Sequence, residues 1–319
     1  MSSSILNYRS INGRTYHSDS VTNGEYWAPN DSKHLDALEV IGHALDIMVG
    51  EKLHLAPITK DIKHAIDIGT GAGVWAMDFA DDYPDCEVIG TDISPVQPSW
   101  CPPNLRFEID DASKDWTFKD NHFDYIHIRF LNGAINDWPA LYKRAYQACK
   151  PGGWIEHLDT SSVPYSDDDS IAKGSALEQY GILFREAGKR LGLIQTTAED
   201  NVQENGLREA GFVNLTVHDF KASYYTQRAA ISSAQTDSSI QMPVSSWPQE
   251  KPLKDVGLYT NVALLGDLDG VLQYVAGNVM GWSKEELKIY SAHLRRELKD
   301  MNVHGYWNWK LVCAQKPLE

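Results

Sequence analysis

Short apolar runs alternate with segments of helical apolar spacing through the first two thirds of the chain. That alternation predicts a parallel sheet covered by helices. The run Ala65, Ile66, Ile68 meets glycines at 69, 71 and 73, and the pattern VWAMDFA (74–80) follows, which reads as strand, tight turn and helix. CEVIGTDI (86–93), LRFEIDDAS (105–113), FDYIHIRFL (123–131) and WIEHLD (154–159) read as four further strands. DWPALYKRAYQAC (137–149) reads as a helix capped by Asp137 with Pro139 in its first turn. KPGG (150–153) reads as a type II turn. Upstream, Leu38, Ile41, Leu45 and Met48 predict an amphipathic helix to about residue 49, capped by Asp31 or Ser32.

The second half continues the pattern. SDDDS (166–170) is expected to be a solvated helix start, with acids favoured near a helix N-terminus. Leu177, Tyr180, Phe184, Ala187 and Leu191 form a helical stripe. GLREAGFVNLTVHDF (206–220) predicts a short helix stopped at Gly211 and a sixth strand. Residues 253–280 are apolar and mostly helical, and Ser283 with Glu286 forms a capping box for a helix carrying Leu287, Tyr290, Leu294 and Leu298. YWNWKLVCAQKP (306–317) is the last strand.

The glycine turn narrows the chemistry. Glycines there clear side chains from the backbone, so the N–H groups at the helix start point at a ligand. A dinucleotide turn wants G-x-G-x-x-G/A, but the last position falls on Val74, and the Lys-Ser/Thr of a P-loop is absent. Asp67 is acidic where a diphosphate would be repelled, and it suits a ligand carrying an ammonium and a sulfonium, namely S-adenosylmethionine (SAM). Asp92, at the carboxyl end of the second strand, is placed to hold both ribose hydroxyls, with Ile93 packing on the adenine. Of Asp110 and Asp111, Asp111 is the better reader of the adenine amino group because Ala112 follows it. Trp116 is either a cover for the adenine or a half-buried core residue. Arg129 faces the methionine end, to pair with a cofactor or substrate carboxylate or in a structural ion pair. His127 is by default a packed strand histidine.

Composition excludes several classes. The 319 residues are 42% hydrophobic, enough for a full core. Net charge is −15 without a Lys/Arg cluster, which argues against nucleic acid or an anionic membrane as partner. The four cysteines (86, 101, 149 and 313) lack metal-ligand spacing, so no metal site is expected, and they read as reduced thiols of a cytoplasmic protein. No run is long enough to span a bilayer, and the start lacks a signal peptide. In the polar segment 1–34, GRTYH (13–17) and YWAPND (26–31) suggest either a loose terminus or a lid with Tyr16 and Trp27 over the cofactor.

The order DIGTGAGVWAMDFA, VIGTDISPVQPSW, RFEIDDA, FDYIHIR, DWPALYKRAY and KPGGWIEHLD resembles the LaeA-like fungal SAM-dependent methyltransferases. GRTYH, MPVSSWP (242–248), LKDVGLYTNVALL (253–265) and MGWSKEEL (280–287) extend the resemblance over almost the whole chain. It implies an α/β, Rossmann-like, seven-stranded class I methyltransferase sheet with an N-terminal lid and a helical cap inserted before an antiparallel last strand. The expected divisions are 1–50 lid and helix, 51–220 SAM-binding core, 221–305 insertion and cap, and 306–319 last strand. The resemblance implies that Asp67, Gly69, Gly71 and Gly73 line the SAM loop, that Asp92 holds the ribose and that Asp111 with Ala112 reads the adenine. Two departures stand out. His157 and the acid near it stand where Gln and Glu are often seen, although WIEH also occurs. The polar segment 221–241 looks like an inserted surface loop or substrate-side flap.

The expected function is methylation of oxygen or nitrogen of a small hydrophobic metabolite. His157 is the candidate base and Asp159 its orienter, unless His157 is a structural histidine. One alternative is a regulator of secondary metabolism acting through protein partners, nuclear in that case. Another is a SAM-binding fold turned to a cyclisation or isomerisation. A protein partner or a homodimer remains open.

Overall fold

The structure is a computed structural model that describes residues 4–22, 26–220 and 241–319. The inserted segment read at 221–241 therefore lies outside the described residues except at its end. The chain opens with a hairpin, β1 (Arg9–Ile11) and β2 (Arg14–Tyr16), and helix α1 (Ser32–Met48). The core follows as β3 (His64–Ile68), α2 (Val74–Asp82), β4 (Glu87–Asp92), β5 (Leu105–Ile109), β6 (Phe123–Arg129), α3 (Trp138–Ala148) and β7 (Cys149–Tyr165). Then come α4 (Ala176–Leu191), α5 (Val202–Ala210), β8 (Val213–Phe220) and β9 (Gln241–Pro243). Helix α6 (Lys251–Leu272) runs into a π-helical turn (Gln273–Val279), followed by α7 (Lys284–Leu298) and β10 (Tyr306–Gln315).

The main sheet runs β5-β4-β3-β6-β7-β10-β8, with β9 paired to β10. Strands β3 to β7 are parallel and β10 is antiparallel to both its neighbours. This is the seven-stranded order expected, with β9 added. Strand alternation divides the core into two layers. Ala65, Val88, Tyr125 and Leu158 face one layer with α2, α4 and the helices of 251–298, while Ile66, Ile68, Ile126 and Ile155 face the other with α3 and α5. Helix α6 packs along α1, so the segment before the last strand covers the sheet's α1 side.

Helix ends follow local chemistry. Asp31 caps α1 by accepting from the His34 N–H, and Asp137 caps α3 by accepting from Ala140. Ser283 and Glu286 form the capping box of α7. Residues 150–153 form the expected turn within the irregular opening of β7: Gly152 lies at φ +80, as the third residue of a type II turn requires, and pairing with β6 jumps from Phe123–Cys149 to Tyr125–Trp154. The cause is the C-terminal chain: Gly152 N–H donates to Lys316 and the Lys316 N–H donates to Gly153, so both ends of the excursion find strand partners. The acidic loop 166–170 does not start a helix. Asp167 accepts from the Tyr306 hydroxyl and Asp168 pairs with His304, while α4 starts later, capped by Ser175.

Candidate functional site

A cavity of about 650 Å³ opens at the carboxyl ends of β3, β4 and β6, walled on its far side by α1. Its size suits a small-molecule ligand. Its floor is the glycine turn. The three glycines do different work. Gly71 (φ +57) lines the cavity, and a Cβ there would meet nothing within 4 Å, so only ligand space lies before it. Gly69 (φ +71) also lines the cavity, but a Cβ would strike the Leu131 side chain at 2.5 Å. Gly73 does not line it; the Phe107 ring sits 2.4 Å from its Cβ position. The expectation that Gly73 lines the loop is therefore corrected: it lets α2 approach β5.

Asp92 is half-buried at the cavity edge. One carboxylate oxygen accepts the Gly71 N–H at 2.9 Å and the other accepts the Ser94 N–H at 2.9 Å. Each oxygen keeps a lone pair for a ligand hydroxyl. Burial pushes its pKa up to about 6, against the pull of those two N–H donors, and nearby Asp67 adds to the rise. Ile93, Asp111 and Ala112 line the same wall. Asp111 accepts from the Ser113 N–H and hydroxyl at 3.0 and 2.5 Å. Burial works against ionisation there, but hydrogen bonds from Ser113 and Thr22 hold the carboxyl below its usual range. Trp116 is part of the core, half-buried with its indole N–H on Ala112.

Asp67 and His127 are register partners on β3 and β6. His127 Nδ1 lies 2.7 Å from one Asp67 oxygen, and the Thr70 hydroxyl donates to the other at 2.6 Å. A carboxylate accepts only, so His127 Nδ1 carries the proton. The imidazole stacks on Trp75 at 3.6 Å, and both rings line the cavity. A packed strand histidine is the default for His127 from sequence, but its alternation with Arg129 sets both on the cavity face. Arg129 also lines the cavity, in an ion pair with Asp46 of α1 at 2.7 Å.

Three sequence-derived residues lie elsewhere. Tyr16 is 0% exposed, packed on Tyr274 at 5.5 Å, and does not line the cavity. Tyr26 and Trp27 of the same N-terminal segment do, in a strap anchored by Asn30, whose side-chain amide donates to Ser94. His157 and Asp159 are each 0% exposed and line neither cavity found. The reason is parity: they share a face with Ile155, turned toward α3 rather than α1. His157 lies between the Tyr142 hydroxyl (2.8 Å) and Asp159 (3.0 Å) and stacks on Trp138. Asp159 accepts the Leu131 and Asn132 N–H groups, bracing a loop that lines the cavity.

The histidines that line the cavity are His34, His43 and His127. His34, on the first turn of α1, directs Nδ1 to Asp267 at 3.0 Å. Asp267 is fully buried at a break in α6 (φ −133) and also receives both Arg14 terminal nitrogens. Burial alone would raise its carboxyl, but His34 and Arg14 hold it well below the usual range. Arg14 also grips Asp31, so one guanidinium ties the hairpin, the α1 cap and the break in α6 together. Seven carboxylates line the cavity (Glu39, Asp46, Asp67, Asp78, Asp92, Asp110 and Asp111) against one guanidinium, that of Arg129. Such a cavity favours a cationic ligand.

The fit to SAM rests on two features: the open cradle before Gly71 and the lone pairs left on Asp92. Comparison with known proteins points the same way. Residues 43–217 match the model of a methyltransferase domain. The chain is 33% identical over 321 residues to methyltransferase pytC of Aspergillus terreus, covering 99% of this chain and 90% of that protein. It is 29% identical to the secondary metabolism regulator LAE1 of Cochliobolus heterostrophus, covering 96% and 94%. Among solved structures, phosphoethanolamine N-methyltransferase 2 of Haemonchus contortus, in complex with phosphomonomethylethanolamine and S-adenosylhomocysteine, superposes with a TM-score of 0.50 at 18% identity over 90% of this chain and 59% of that one. That likeness concerns the fold alone.

Proposed function

The chain belongs to the methyltransferase-domain family as a LaeA-like class I SAM-dependent methyltransferase, and from that premise we propose that it methylates oxygen or nitrogen of a small secondary metabolite. SAM is its cofactor. The observation that carries the site assignment is the Asp92–Gly71 corner: a half-buried carboxylate with spare lone pairs beside a glycine whose Cβ position is empty.

When bound, the cofactor supplies an electrophilic methyl group on a sulfonium. On our proposal Asp92 accepts the ribose hydroxyls, Asp111 and Ala112 border the adenine, and Ile93 packs on it. Asp67, oriented by His127 and Thr70, sets a negative field for the ammonium. Arg129 is available to the methionine carboxylate through the guanidinium edge not used by Asp46. The enzyme's main task is alignment of the acceptor lone pair with the carbon–sulfur bond. A protonated acceptor needs a base, and two of the cavity's histidines, His34 and His43, replace His157 in that role, His127 being engaged with Asp67. The helices of 251–298 act as the cap on the acceptor side.

The test is calorimetric titration of the protein with SAM and with S-adenosylhomocysteine (SAH), repeated with Asp92→Ala. Micromolar binding weakened about tenfold or more in the variant, about 1.4 kcal/mol, is expected. Folded protein that binds neither ligand would overturn the assignment. The similarity to a regulator supports a second proposal, action through protein partners. Methyl transfer from labelled SAM to protein in a fungal extract, with none to small molecules, would favour it.

A further inference from the structure

The strap of residues 26–30 is seated firmly. Asn30 donates its side-chain amide to Ser94, two residues past Asp92, and its backbone N–H to Thr15 of the hairpin at 2.8 Å. Ala28 and Pro29 are buried. Trp27 packs edge-on against Phe184 at 5.5 Å. It walls the large cavity and also a second chamber of about 70 Å³, with which the large cavity shares Ile41, Phe130 and Asn132 as well. The other walls of that chamber include Tyr180, Trp307 and Trp309. On the adenine side, Thr22 hydrogen-bonds Asp111, and the Lys114 ammonium donates to the Val21 carbonyl at 2.9 Å. The N-terminal segment therefore touches the adenine wall through Thr22 and the ribose corner through Asn30. Tyr26 lies between those contacts in sequence.

Tyr26 is half-buried and lines the cavity with Asp92, Ile93 and Asp111. Its ring stands 6.0 Å from Trp27 and 6.4 Å from His17. Among the described residues its hydroxyl takes part in no hydrogen bond. The Tyr16 and Tyr125 hydroxyls are enclosed without a partner, whereas that of Tyr26 is not enclosed. Burial, and then the facing charge of Asp92, push the phenol's pKa well up, so the hydroxyl stays a proton donor at physiological pH. Asp92 is thus near enough to act on the phenol, yet no hydrogen bond joins them, and the space between them is cavity. A ribose hydroxyl in that space donates its proton to Asp92 and keeps lone pairs on its oxygen. A phenol O–H facing it is the matching donor.

We propose that Tyr26 is a cofactor-binding residue whose hydroxyl donates to a ribose hydroxyl that Asp92 holds from the other side. This rests on the methyltransferase reading and adds a cofactor contact from outside the matched methyltransferase domain, residues 43–217. The cover expected of Tyr16 passes to Tyr26.

The test is calorimetry with SAH and with its 2′-deoxy and 3′-deoxy ribose analogues, on wild-type protein and on Tyr26→Phe, which keeps the ring and removes the donor. SAH should bind the variant about five- to tenfold more weakly. For one analogue, the one lacking the shared hydroxyl, the substitution should change affinity by less than about twofold. A purely structural role for Tyr26 would weaken SAH and both analogues alike. That result, or SAH affinity unchanged within about twofold, would overturn the inference. If Tyr26→Phe does not fold, Asn30→Ala takes its place by freeing the strap from Ser94. SAH should then weaken about fivefold with one deoxy analogue again spared, and an equal loss for all three ligands, or no loss, would overturn the inference. Wild-type protein that binds neither SAH nor its analogues would overturn the methyltransferase reading first, and that step is read before either variant.

Discussion

The two cavities share a wall but differ in nearly every physical respect. The large one is lined by seven carboxylates and one arginine, and its polar groups are held by backbone N–H donors, hydroxyls and histidines. The small one has no charged side chain. An acidic cavity with preset acceptors suits a cationic cofactor shared across a family. An uncharged aromatic chamber selects by shape. The difference teaches that charge is confined to one of the two cavities, so its carboxylates can be altered without touching the walls of the other.

The largest effect should come from the glycine turn. Gly73→Ala drives a Cβ into the Phe107 ring at a positive φ, and a loss of about 3 kcal/mol or more is expected in thermal or denaturant unfolding. Gly71→Ala meets open space, so it should stay folded at a penalty of about 1 kcal/mol while losing SAH affinity about tenfold. Equal behaviour of the two variants would show that the turn is only a packing device.

Next is His157→Ala. It removes a fully buried ring and strands the Tyr142 hydroxyl, so a loss of about 3 kcal/mol of stability is expected with SAH affinity per folded molecule unchanged. A large change in SAH affinity would return His157 to the site.

Asp92 gives a pH signature. Its folded pKa, about 6, lies above the unfolded value, so its contribution to stability is present below about pH 4 and lost as pH rises through 6. The loss is on the order of 2 to 3 kcal/mol and should be absent in Asp92→Asn unfolding curves. SAM affinity should move the opposite way, weakening as pH falls through about 6 because the protonated acid no longer accepts on both oxygens. A pH profile that Asp92→Asn leaves unaltered would contradict this.

The smallest effect concerns Arg129. Asp46→Asn removes its partly exposed partner, a pair worth about 1 kcal/mol or less. If Arg129 serves the cofactor carboxylate, SAM affinity should rise a few-fold; a fall would make the pair a structural brace.

Much of the large cavity was legible in the sequence because its chemistry is concentrated in contiguous motifs. The glycine turn, Asp92 and Asp111 with Ala112 sit at strand ends that hydrophobic alternation locates. What was lost was parity and distance. Placing His157 at the rim was right for its strand end but wrong for its face, because one residue of register decides between α1 and α3. Tyr16 was separated from Trp27 by packing on Tyr274, and nothing in segment 1–34 signals that contact. The His34–Asp267–Arg14 link spans 253 residues from Arg14 to Asp267, beyond any local pattern. The second chamber is assembled from residues between Trp27 and Trp309, each of which alone reads as core.

The most direct measurement is a crystal structure of the SAH complex. The account predicts ribose hydroxyls on Asp92, the adenine along Ile93 and Ala112, and the methionine ammonium toward Asp67. A ribose away from Asp92, or an ammonium away from Asp67, would contradict the assignment of the acidic cavity to the cofactor.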